Sequence, residues 1–470
     1  MNRKQYRLHS AKSMIRAVEG LLELVVLALV YYYIWRKGYR PLDFPNYNGN
    51  GKYVLAGVYG LLTMFMFFNF DGFKFGYLKN VDVCLSQCLA LFIVNFITYW
   101  QLCLTAEVVL PVTPMLILMG IDIVLVLFFA TVYTKMYHSL YVPKRMVMVF
   151  GSRESVSLKF KMETRKDKYR MTKLIPAQIG LEAICREIVH YDAVVISGVD
   201  ANLRNELLKF CYGRALRTYV VPEVTDIIVQ GASKINLFDT PLMLVNGRAL
   251  TYPQRVYKRA FDLVACGLAA VVASPIMLAV AIAIKLEDGG PVFYKQKRAT
   301  YDGKVFEILK FRSMIVDAEK AGVPMAATDK DPRITKVGHF IRACRIDELP
   351  QLLNILKGDM SIVGPRPERV ENMEAYSKDL PEFPFRLKVK GGLTGYAQVY
   401  GKYNTSPHDK LCMDMMYVEN YSFLLDLKLI LMTLRIILSK ESTEGFDKVE
   451  ELERQTEEVL EELEHEKTKV

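Results

Sequence analysis

The sequence predicts a membrane protein in three parts: an α-helical N-terminal transmembrane bundle, a central parallel α/β (Rossmann-like) module, and a C-terminal α/β domain with a re-entrant membrane helix. Three observations support this fold class. Hydrophobic residues make up 51% of the 470 residues, and they are concentrated in the first third of the chain. Strand-like and helix-like segments then alternate, and a polar, basic region with one further apolar stretch follows.

The N-terminal region, residues 1–143, contains four long apolar stretches. Each approaches the roughly 20 residues that a helix needs to cross the hydrocarbon core, and aromatic residues such as Trp35 and Trp100 lie near their ends, as in an interfacial belt. Buried helices of a large soluble core are the less favoured alternative. Lys and Arg are more frequent in the segments that an N-inside topology leaves inside, which favours both ends of this region on the cytoplasmic side. The stretches are 17–35, 53–70, 81–102 and 108–133.

Residues 144–247 have the alternating pattern of a parallel α/β module. The turn that follows the first strand begins at Gly151 but lacks the further glycines of G-x-G-x-x-G. We therefore predict no NAD site, and we favour a structural or regulatory module over a working cofactor site. The predicted strands are 144–152, 191–200 and 216–224, and the predicted helices are 181–190 and 205–215.

A fifth apolar stretch, residues 261–284, is interrupted by Ser274 and Pro275, and basic residues flank both of its ends. Proline removes a backbone donor and clashes with the preceding turn, which disfavours a straight spanning helix. We expect a re-entrant helix that breaks at this pair and returns to the face it entered. A kinked spanning helix is the alternative, and it would place the rest of the chain outside the cell.

The end of the chain predicts two further helices. Residues 420–440 are apolar but contain Asp426, Lys428 and Arg435, which suits a helix at the membrane interface better than one that spans it. Residues 441–470 form a charged tail, which we expect to be helical and solvated. The net charge of +10 predicts anionic partners, and we expect membrane lipid headgroups or phosphorylated substrates and no nucleic acid.

Two adjacent carboxylates, Asp347 and Glu348, stand before a short predicted helix. Asp347 is a good N-cap residue, Pro350 suits the first turn, and Gly358 ends the apolar pattern. Both carboxylates would then lie at the positive end of a helix, a place that favours a phosphate or a metal. The alternative is that Asp347 only caps the helix and Glu348 only decorates its first turn.

Cationic side chains are dense around this pair. Arg366 lies between two prolines in Gly364-Pro-Arg-Pro367, where a planar guanidinium with few remaining conformations fits a phosphate bidentately. Each cation alone would be read as surface charge, but together with two carboxylates they predict a pyrophosphate site with a divalent metal. The cations are Lys295, Lys297, Arg298, Lys310, Arg312, Arg333, Arg342, Arg345 and Arg366.

Two later segments are candidates for the same site. The glycine-rich residues 391–402, which include Gln398, form a candidate substrate-positioning loop. Asp414 and Tyr417 are one helical turn apart and share a face, so Asp414 is a candidate to bind the same metal as Asp347. A capping or salt-bridging role is the alternative for Asp414. Within the dyad, one carboxylate can attack phosphorus while the other holds Mg²⁺ or steers the leaving group.

Six motifs in order resemble the bacterial sugar transferase family, the polyprenyl-phosphate hexose-1-phosphate transferases of the monotopic phosphoglycosyl transferase superfamily. The resemblance covers residues 252–440, which would be the catalytic domain, and four spans followed by an α/β module are similar to the long form of that family. The motifs are Lys258-Arg-x-Phe-Asp262, Ser274-Pro275, GPVFYKQKR, LKFRSM, DELPQLLNILKGDMSIVGPRPE and LTGYAQVYG.

The resemblance implies transfer of a sugar 1-phosphate from a UDP-sugar to undecaprenyl phosphate, with release of UMP, as the first step of an exopolysaccharide, capsule or O-antigen type of glycan. It implies that Asp347 is the nucleophile and Glu348 its partner, that Mg²⁺ assists, and that Arg366 binds phosphate. The location implied is the bacterial inner membrane, with the catalytic domain facing the cytoplasm. Tyr400 and Gly391-Gly392 depart from the usual family pattern, which affects substrate contacts and not the reaction class.

Two other function classes fit the sequence less well. A membrane-anchored nucleotide-sugar dehydratase or epimerase would need G-x-G-x-x-G and a Tyr-x-x-x-Lys pair, and the C-terminal part has neither. A non-catalytic scaffold for glycan assembly would be expected to lose the dyad or the arginines, and both are present. The sugar, the role of the 144–247 module and the oligomeric state, including a homo-oligomer, stay open.

Overall fold

A computed structural model describes residues 3–39, 51–140, 143–247, 249–316, 331–401, 405–438 and 454–458. The chain forms two compact units, Met1–Val221 with Glu451–Val470, and Pro222–Glu450, and each is considered by itself. The predicted tail 441–470 lies outside the described residues except for 454–458, which are helical.

The N-terminal region consists of four helices: α1 (Arg3–Gly38), α2 (Gly51–Asn69), α3 (Asn80–Ala106) and α4 (Thr113–Leu140). They overlap the four predicted apolar stretches, although α1 begins 14 residues earlier than its predicted stretch and α4 begins five residues later. Among the described residues, α2, α3, α4 and one later helix are long and apolar enough to cross a membrane. The chain is therefore a membrane-associated protein, as the sequence predicts.

The side chains of these helices have the distribution that a bilayer requires. Large apolar residues such as Phe68 face outward, with 76% of that side chain exposed, while Glu23 and Asp122 are buried. Each buried carboxylate accepts a hydrogen bond from an amide: Gln87 Nε2 donates to Glu23 at 3.1 Å and Asn95 Nδ2 to Asp122 at 2.8 Å. When the outer surface of a helix bundle is apolar, hydrogen bonds between polar side chains inside the bundle help to hold the helices together.

The α/β module is a four-stranded parallel sheet in the order β2-β1-β3-β4, which confirms the predicted class. Two elements were not predicted, α5 and β2, because their sequence is polar and β2 lies at the sheet edge with few buried residues. The glycine after β1 serves packing, since a Cβ on Gly151 would collide with the carbonyl of Gly198. The elements are β1 (Lys144–Phe150), α5 (Arg153–Glu163), β2 (Tyr169–Pro176), α6 (Leu181–Ile188), β3 (Ala193–Ser197), α7 (Ala201–Gly213) and β4 (Arg217–Val220).

The second unit opens with α8 (Val224–Gln230) and a hairpin of β5 (Ser233–Leu237) and β6 (Thr240–Leu244). Val224 and Ile227 of α8 share a hydrophobic core with Leu411 and Met415. These contacts place α8 with the C-terminal unit, although the sequence analysis included it in the 144–247 module.

The fifth apolar stretch lies in one continuous helix, α9 (Tyr252–Asp288), of 37 residues. The expected separation into two helices at Ser274-Pro275 is not seen. Pro275 has no N–H to offer the carbonyl of Val271, and the Ser274 hydroxyl donates to that carbonyl instead, at 2.7 Å. Because this carbonyl is satisfied, the helix passes through the proline, and re-entry into the membrane stays a prediction.

Helix α9 has two different faces. One face packs into the second unit along the whole helix through Cys266, Ala273, Val280 and Ile284. The opposite face is apolar and exposed, and Val272 reaches 77% exposure. A helix with one face in a protein core and an apolar face outside suits insertion into the membrane beside its own domain.

The remaining elements surround α9 with short strands and helices. Two hairpin strands are antiparallel, and two three-residue strands, β9 and β10, are parallel. The elements are β7 (Phe293–Ala299), β8 (Val305–Phe311), α10 (Lys336–Ala343), α11 (Gln351–Lys357), β9 (Ser361–Val363), α12 (Val370–Asp379), β10 (Gly392–Thr394), α13 (Tyr396–Tyr400), α14 (Pro407–Glu419) and α15 (Phe423–Leu438).

Charged residues at the start of α9 fasten it to its domain. Arg259 donates to the last carbonyls of α11, those of Ile355 and Leu356, at 2.6 and 2.8 Å. Asp262 accepts a hydrogen bond from the backbone N–H of Ile362 in β9 at 3.1 Å. The Lys-Arg-x-Phe-Asp motif therefore holds α9 against α11 and β9.

The first residue of this motif makes a buried ion pair with α15. Lys258 Nζ lies 2.6 Å from Asp426 Oδ2 and 3.1 Å from the hydroxyl of Tyr417, which donates to Asp426 at 2.7 Å. The side chains of Lys258 and Asp426 are 7% and 2% exposed. A carboxylate in such a place depends on its cation, because water cannot replace it.

We predict that Lys258→Met lowers the thermal unfolding midpoint of the purified protein, because Asp426 is left as a buried charge. Breaking a buried pair costs roughly 3–5 kcal/mol. The matched control is Lys295→Met, since Lys295 pairs with Glu307 at 3.3 Å on an exposed surface, and little change is expected there. Equal midpoints for the two variants would contradict the prediction.

Candidate active site

The dyad lies on a tight turn between α10 and α11. Residues 346–348 form a single 3₁₀ turn, entered through Arg345 with a left-handed φ of 58°. The expectation that Asp347 caps the next helix is wrong, since α11 begins at Gln351 with Pro350 as its N-cap. The carboxylates thus lie on the 3₁₀ turn that leads into α11, and neither caps that helix.

Glu348 is held between two cations. Its Oε1 accepts from Lys310 Nζ at 2.8 Å and from Arg366 Nη2 at 2.9 Å, and its side chain is only 14% exposed. Burial by itself would raise the pKa of Glu348, but the charges and hydrogen bonds of Arg366 and Lys310 outweigh it and hold that pKa well below the ordinary value. Glu348 is therefore a fixed, ionised carboxylate.

Asp347, the neighbouring carboxylate, is in a different state. Within the part of the chain that the structure describes, its carboxylate has no hydrogen-bond or ion-pair partner, and it is half-buried. Burial raises its pKa, and the positive charges of Lys310 and Arg345 offset part of that effect. One acid of the dyad is thus locked by cations, and the other is available for a ligand.

The loop that presents Arg366 is fastened along its backbone. Four consecutive carbonyls in this loop accept one hydrogen bond each, so its position is determined by the surrounding elements. Residues 365 to 368 accept, in that order, from Gly392 N (2.9 Å), Arg386 Nη2 (3.0 Å), Arg298 Nη1 (3.0 Å) and Ala299 N (3.0 Å).

The predicted cations take several positions. Lys310 and Arg366 contact the dyad directly, whereas Arg342 acts on Asp347 by its charge. Arg298 lies under the Arg366 loop and donates to Gln296 as well as to Pro367. Burial and the nearby charge of Arg366 lower the pKa of Arg298 to about 10.

Arg312 does not join the dyad. Its guanidinium makes a bidentate pair with Asp288 at the end of α9, with Nη1 2.5 Å from Oδ2, and its Nε donates to the Pro291 carbonyl at 2.7 Å. Strand β8 ends at Phe311, so the backbone no longer directs Arg312 to the side of Lys310. Its contacts connect the end of β8 to the end of α9.

Gln398 supports a turn in the glycine-rich segment. Its Nε2 donates to the Leu393 carbonyl at 3.0 Å, while its buried Oε1 has no hydrogen-bond partner among the described residues. The side chain thus connects α13 to β10, and one polar atom is left for a ligand or water.

Asp414 is not brought to the dyad either. Its carboxylate is 1% exposed and lies 2.6 Å from Arg386 Nη2, and no contact in the described part of the chain joins it to Asp347 or Glu348. Asp414 is thus engaged by Arg386, and the expected metal site shared with Asp347 gains no support from these surroundings. Tyr417, one turn further on, contacts Lys258 and Asp426 instead.

Whether the dyad can hold a metal ion therefore depends on Asp347. No group of three or more His, Cys, Asp or Glu side chains that could hold an ion is found among the described residues. Mg²⁺ is commonly held by one or two carboxylates together with substrate phosphates and waters. The single available carboxylate of Asp347 fits a metal that arrives with a phosphorylated ligand.

Sequence reasoning missed Arg386 and Glu368. Arg386 is 1% exposed, and Glu368 faces it and also pairs with Lys410. Because arginine is ordinarily a surface residue, its residue type did not indicate that Arg386 is buried. The weak signal available was the excess of prolines and phenylalanines around it in Pro381-Glu-Phe-Pro-Phe-Arg386, which indicates a packed segment.

The comparisons with known proteins concern mainly the second unit. The model of the family described as bacterial sugar transferase matches residues 253–440. A UDP-N-acetylgalactosamine-undecaprenyl-phosphate N-acetylgalactosaminephosphotransferase of Aeromonas hydrophila is 37% identical over 258 residues, 53% of this chain and 60% of that protein. A UDP-glucose:undecaprenyl-phosphate glucose-1-phosphate transferase of Escherichia coli K12 is 40% identical over 210 residues, 44% of this chain and 43% of that protein.

A shorter relative is matched almost throughout. An uncharacterized sugar transferase of Bacillus subtilis strain 168 is 41% identical over 186 residues, which are 40% of this chain and 89% of that protein. By contrast, the chain spans about half the length of the two relatives named for a substrate. The residues that the family model matches, 253–440, include the dyad.

We predict that Glu348→Gln lowers the thermal unfolding midpoint, because Lys310 and Arg366 lose the negative charge that compensates them. The expected cost is below the roughly 3–5 kcal/mol of a fully buried pair, because Arg366 is 36% exposed and solvent screens part of its charge. The matched control is Glu307→Gln, which removes a carboxylate from an exposed lysine pair and should have little effect. A Glu348→Gln midpoint equal to that of the control would show that the two cations do not depend on this carboxylate.

Proposed function

This chain belongs to the bacterial sugar transferase family, and we propose that it transfers a sugar 1-phosphate from a UDP-sugar to undecaprenyl phosphate and releases UMP. The observation that carries the proposal is the dyad: an available carboxylate, Asp347, beside an ionised one, Glu348, that two cations hold in place. The names of the Aeromonas and Escherichia relatives give the same class of donor and acceptor.

The proposed reaction has two displacements at one phosphorus. An oxygen of the ionised Asp347 attacks the phosphorus that bears the sugar, the bond to the bridging oxygen breaks, and UMP leaves with that electron pair. A phosphate oxygen of undecaprenyl phosphate then attacks the same phosphorus and releases the Asp347 carboxylate. The product is the diphosphate-linked lipid sugar, and atoms and charges balance without an oxidant or a further reactant.

The cations around the dyad suit a polyanionic donor. Lys310 and Arg366 hold the ionised Glu348 next to Asp347 in the chain, and Lys310 and Arg342 add positive charge near Asp347. Mg²⁺, which Asp347 would help to hold, would supply positive charge to neutralise the charge that develops on the leaving UMP. Phosphoryl transfer depends above all on such neutralisation and alignment.

We further propose that α9 is embedded from the cytoplasmic side of the inner membrane and that both of its ends stay on that side. Arg259 at its start and Asp288 at its end are both bonded to the same unit. The face between them that points away from the unit is apolar. Such an embedded helix would keep Asp347 near the headgroups, where the acceptor phosphate lies, and a lipid-linked glycan would be started there.

The proposed topology predicts a cytoplasmic C-terminus. A fluorescent protein fused after Val470 should be fluorescent in intact cells, and an alkaline phosphatase fused there should be inactive, because phosphatase folds only outside. Fusions within residues 40–50, between α1 and α2, serve as the control and should give the reverse pattern. An active phosphatase at the C-terminus would refute the cytoplasmic position of both ends of α9.

The proposed reaction predicts that Asp347→Asn lowers UMP release by roughly a thousand-fold or more while the protein stays folded, because an amide is not a nucleophile for phosphorus. The measurement is UMP release by the purified enzyme with undecaprenyl phosphate, Mg²⁺ and a panel of UDP-sugars. The panel includes glucose and N-acetylgalactosamine donors, because relatives at similar identity are named for each.

The control for this measurement is Asp379→Asn, on the exposed end of α12, which should leave the rate unchanged. A near-normal rate for Asp347→Asn would overturn the covalent role of Asp347. Failure of the unmodified enzyme to release UMP from any donor would overturn the proposed function itself.

A further inference from the structure

A second buried ion pair lies behind the Arg366 loop. Arg386, on the turn Phe383–Lys388, and Asp414, on α14, are each 1% exposed, and Arg386 Nη2 is 2.6 Å from Asp414 Oδ2. Neither side chain reaches solvent, so neither is placed to bind a substrate directly. A buried pair of this kind is weak evidence for stability, since well-packed apolar residues often do as well. Stability alone therefore does not explain why this ion pair is present.

The same guanidinium nitrogen connects this pair to the dyad. Arg386 Nη2 donates to the backbone carbonyl of Arg366 at 3.0 Å, and the side chain of Arg366 reaches Glu348 at 2.9 Å. A continuous series of contacts thus runs from Asp414 through Arg386 and Arg366 to Glu348. Each step is shorter than 3.1 Å, and every side chain in it carries a charge.

The surroundings of Arg386 favour a fixed orientation of its guanidinium. Glu368, in the same loop as Arg366, faces Arg386 Nη1 at 3.6 Å and is itself paired with Lys410. Acids from α14 and from the loop therefore lie on two sides of the guanidinium. Arg386 Nε and Nη1 and both oxygens of Asp414 have no hydrogen-bond partner among the described residues, so these acids act on the guanidinium through their charge. A planar group with several donors can serve a carboxylate and a carbonyl together, which a lysine ammonium on a flexible stem cannot do in the same geometry.

We propose that Arg386, oriented by Asp414, is a positioning residue that fixes Arg366 against Glu348 in the reaction proposed above, on which this inference rests. It assigns to Asp414 a role in orienting a cation of the site and no role as a metal ligand. Because Arg386 acts only through Arg366, its contribution to the rate should exist only when the Arg366 side chain is present.

The test is a double-mutant cycle on the full-length enzyme, with UMP release measured on the UDP-sugar that the unmodified enzyme uses best. Arg386→Lys should lower kcat/KM by about 10- to 100-fold, since small displacements of a reacting group have effects of that size. In an Arg366→Ala background the same change should lower kcat/KM by less than about threefold. Lys388→Arg, a basic-for-basic change on the same turn, is the control and should leave kcat/KM unchanged.

A second variant separates positioning from stability. Arg386→Met with Asp414→Leu replaces the pair by apolar side chains, a change that often keeps stability, and it leaves Glu368 paired with Lys410. This variant should keep the thermal unfolding midpoint within a few degrees and still lose kcat/KM as Arg386→Lys does.

Several results would overturn the inference. They are equal losses of kcat/KM in both backgrounds, normal kcat/KM in the folded apolar variant, or failure of every one of these variants to fold, which would make the pair a support of the fold alone. An unmodified enzyme without UMP release would instead overturn the proposed function, and this inference with it.

Discussion

A buried carboxylate that needs two cations organises the second unit. Glu348 is removed from water, and the charges of Lys310 and Arg366 replace its hydration. These two residues come from strand β8 and from the loop after β9, so the ionised glutamate draws three separate elements together. Its neighbour Asp347 has no such partner among the described residues. The two adjacent acids therefore have different environments, and Asp347 is the one available to a ligand.

The residues that the sequence predicted best are those whose role depends on near neighbours. Adjacent acids, an arginine between prolines and long apolar runs can be interpreted without knowing what surrounds them. From such patterns the sequence could predict the helices, the parallel sheet and the contact of Lys310 with Glu348. Partners distant in sequence could not. Arg312 is taken by Asp288 and Asp414 by Arg386, and no spacing rule indicates which acid a cation will find.

The charged residues in the first turns of α9 have contacts that the sequence alone did not predict. Lys258, Arg259 and Asp262 look like charges at the edge of an apolar segment, where interfacial anchoring is the usual reading. They bind instead to an acid of α15, to carbonyls of α11 and to an amide of β9. One side of the helix is therefore packed against the protein core, and its other, apolar side is the one available to lipid.

The backbone of the Arg366 loop has a consequence for the cost of binding. Because its carbonyls from residue 365 to 368 are each bonded already, the loop loses its conformational entropy when the chain folds and not again at each encounter with a ligand. A guanidinium presented from such a rigid frame meets an incoming anion at little further entropic expense. Loop length is constrained for the same reason: one inserted residue would put every later carbonyl out of step with its donor.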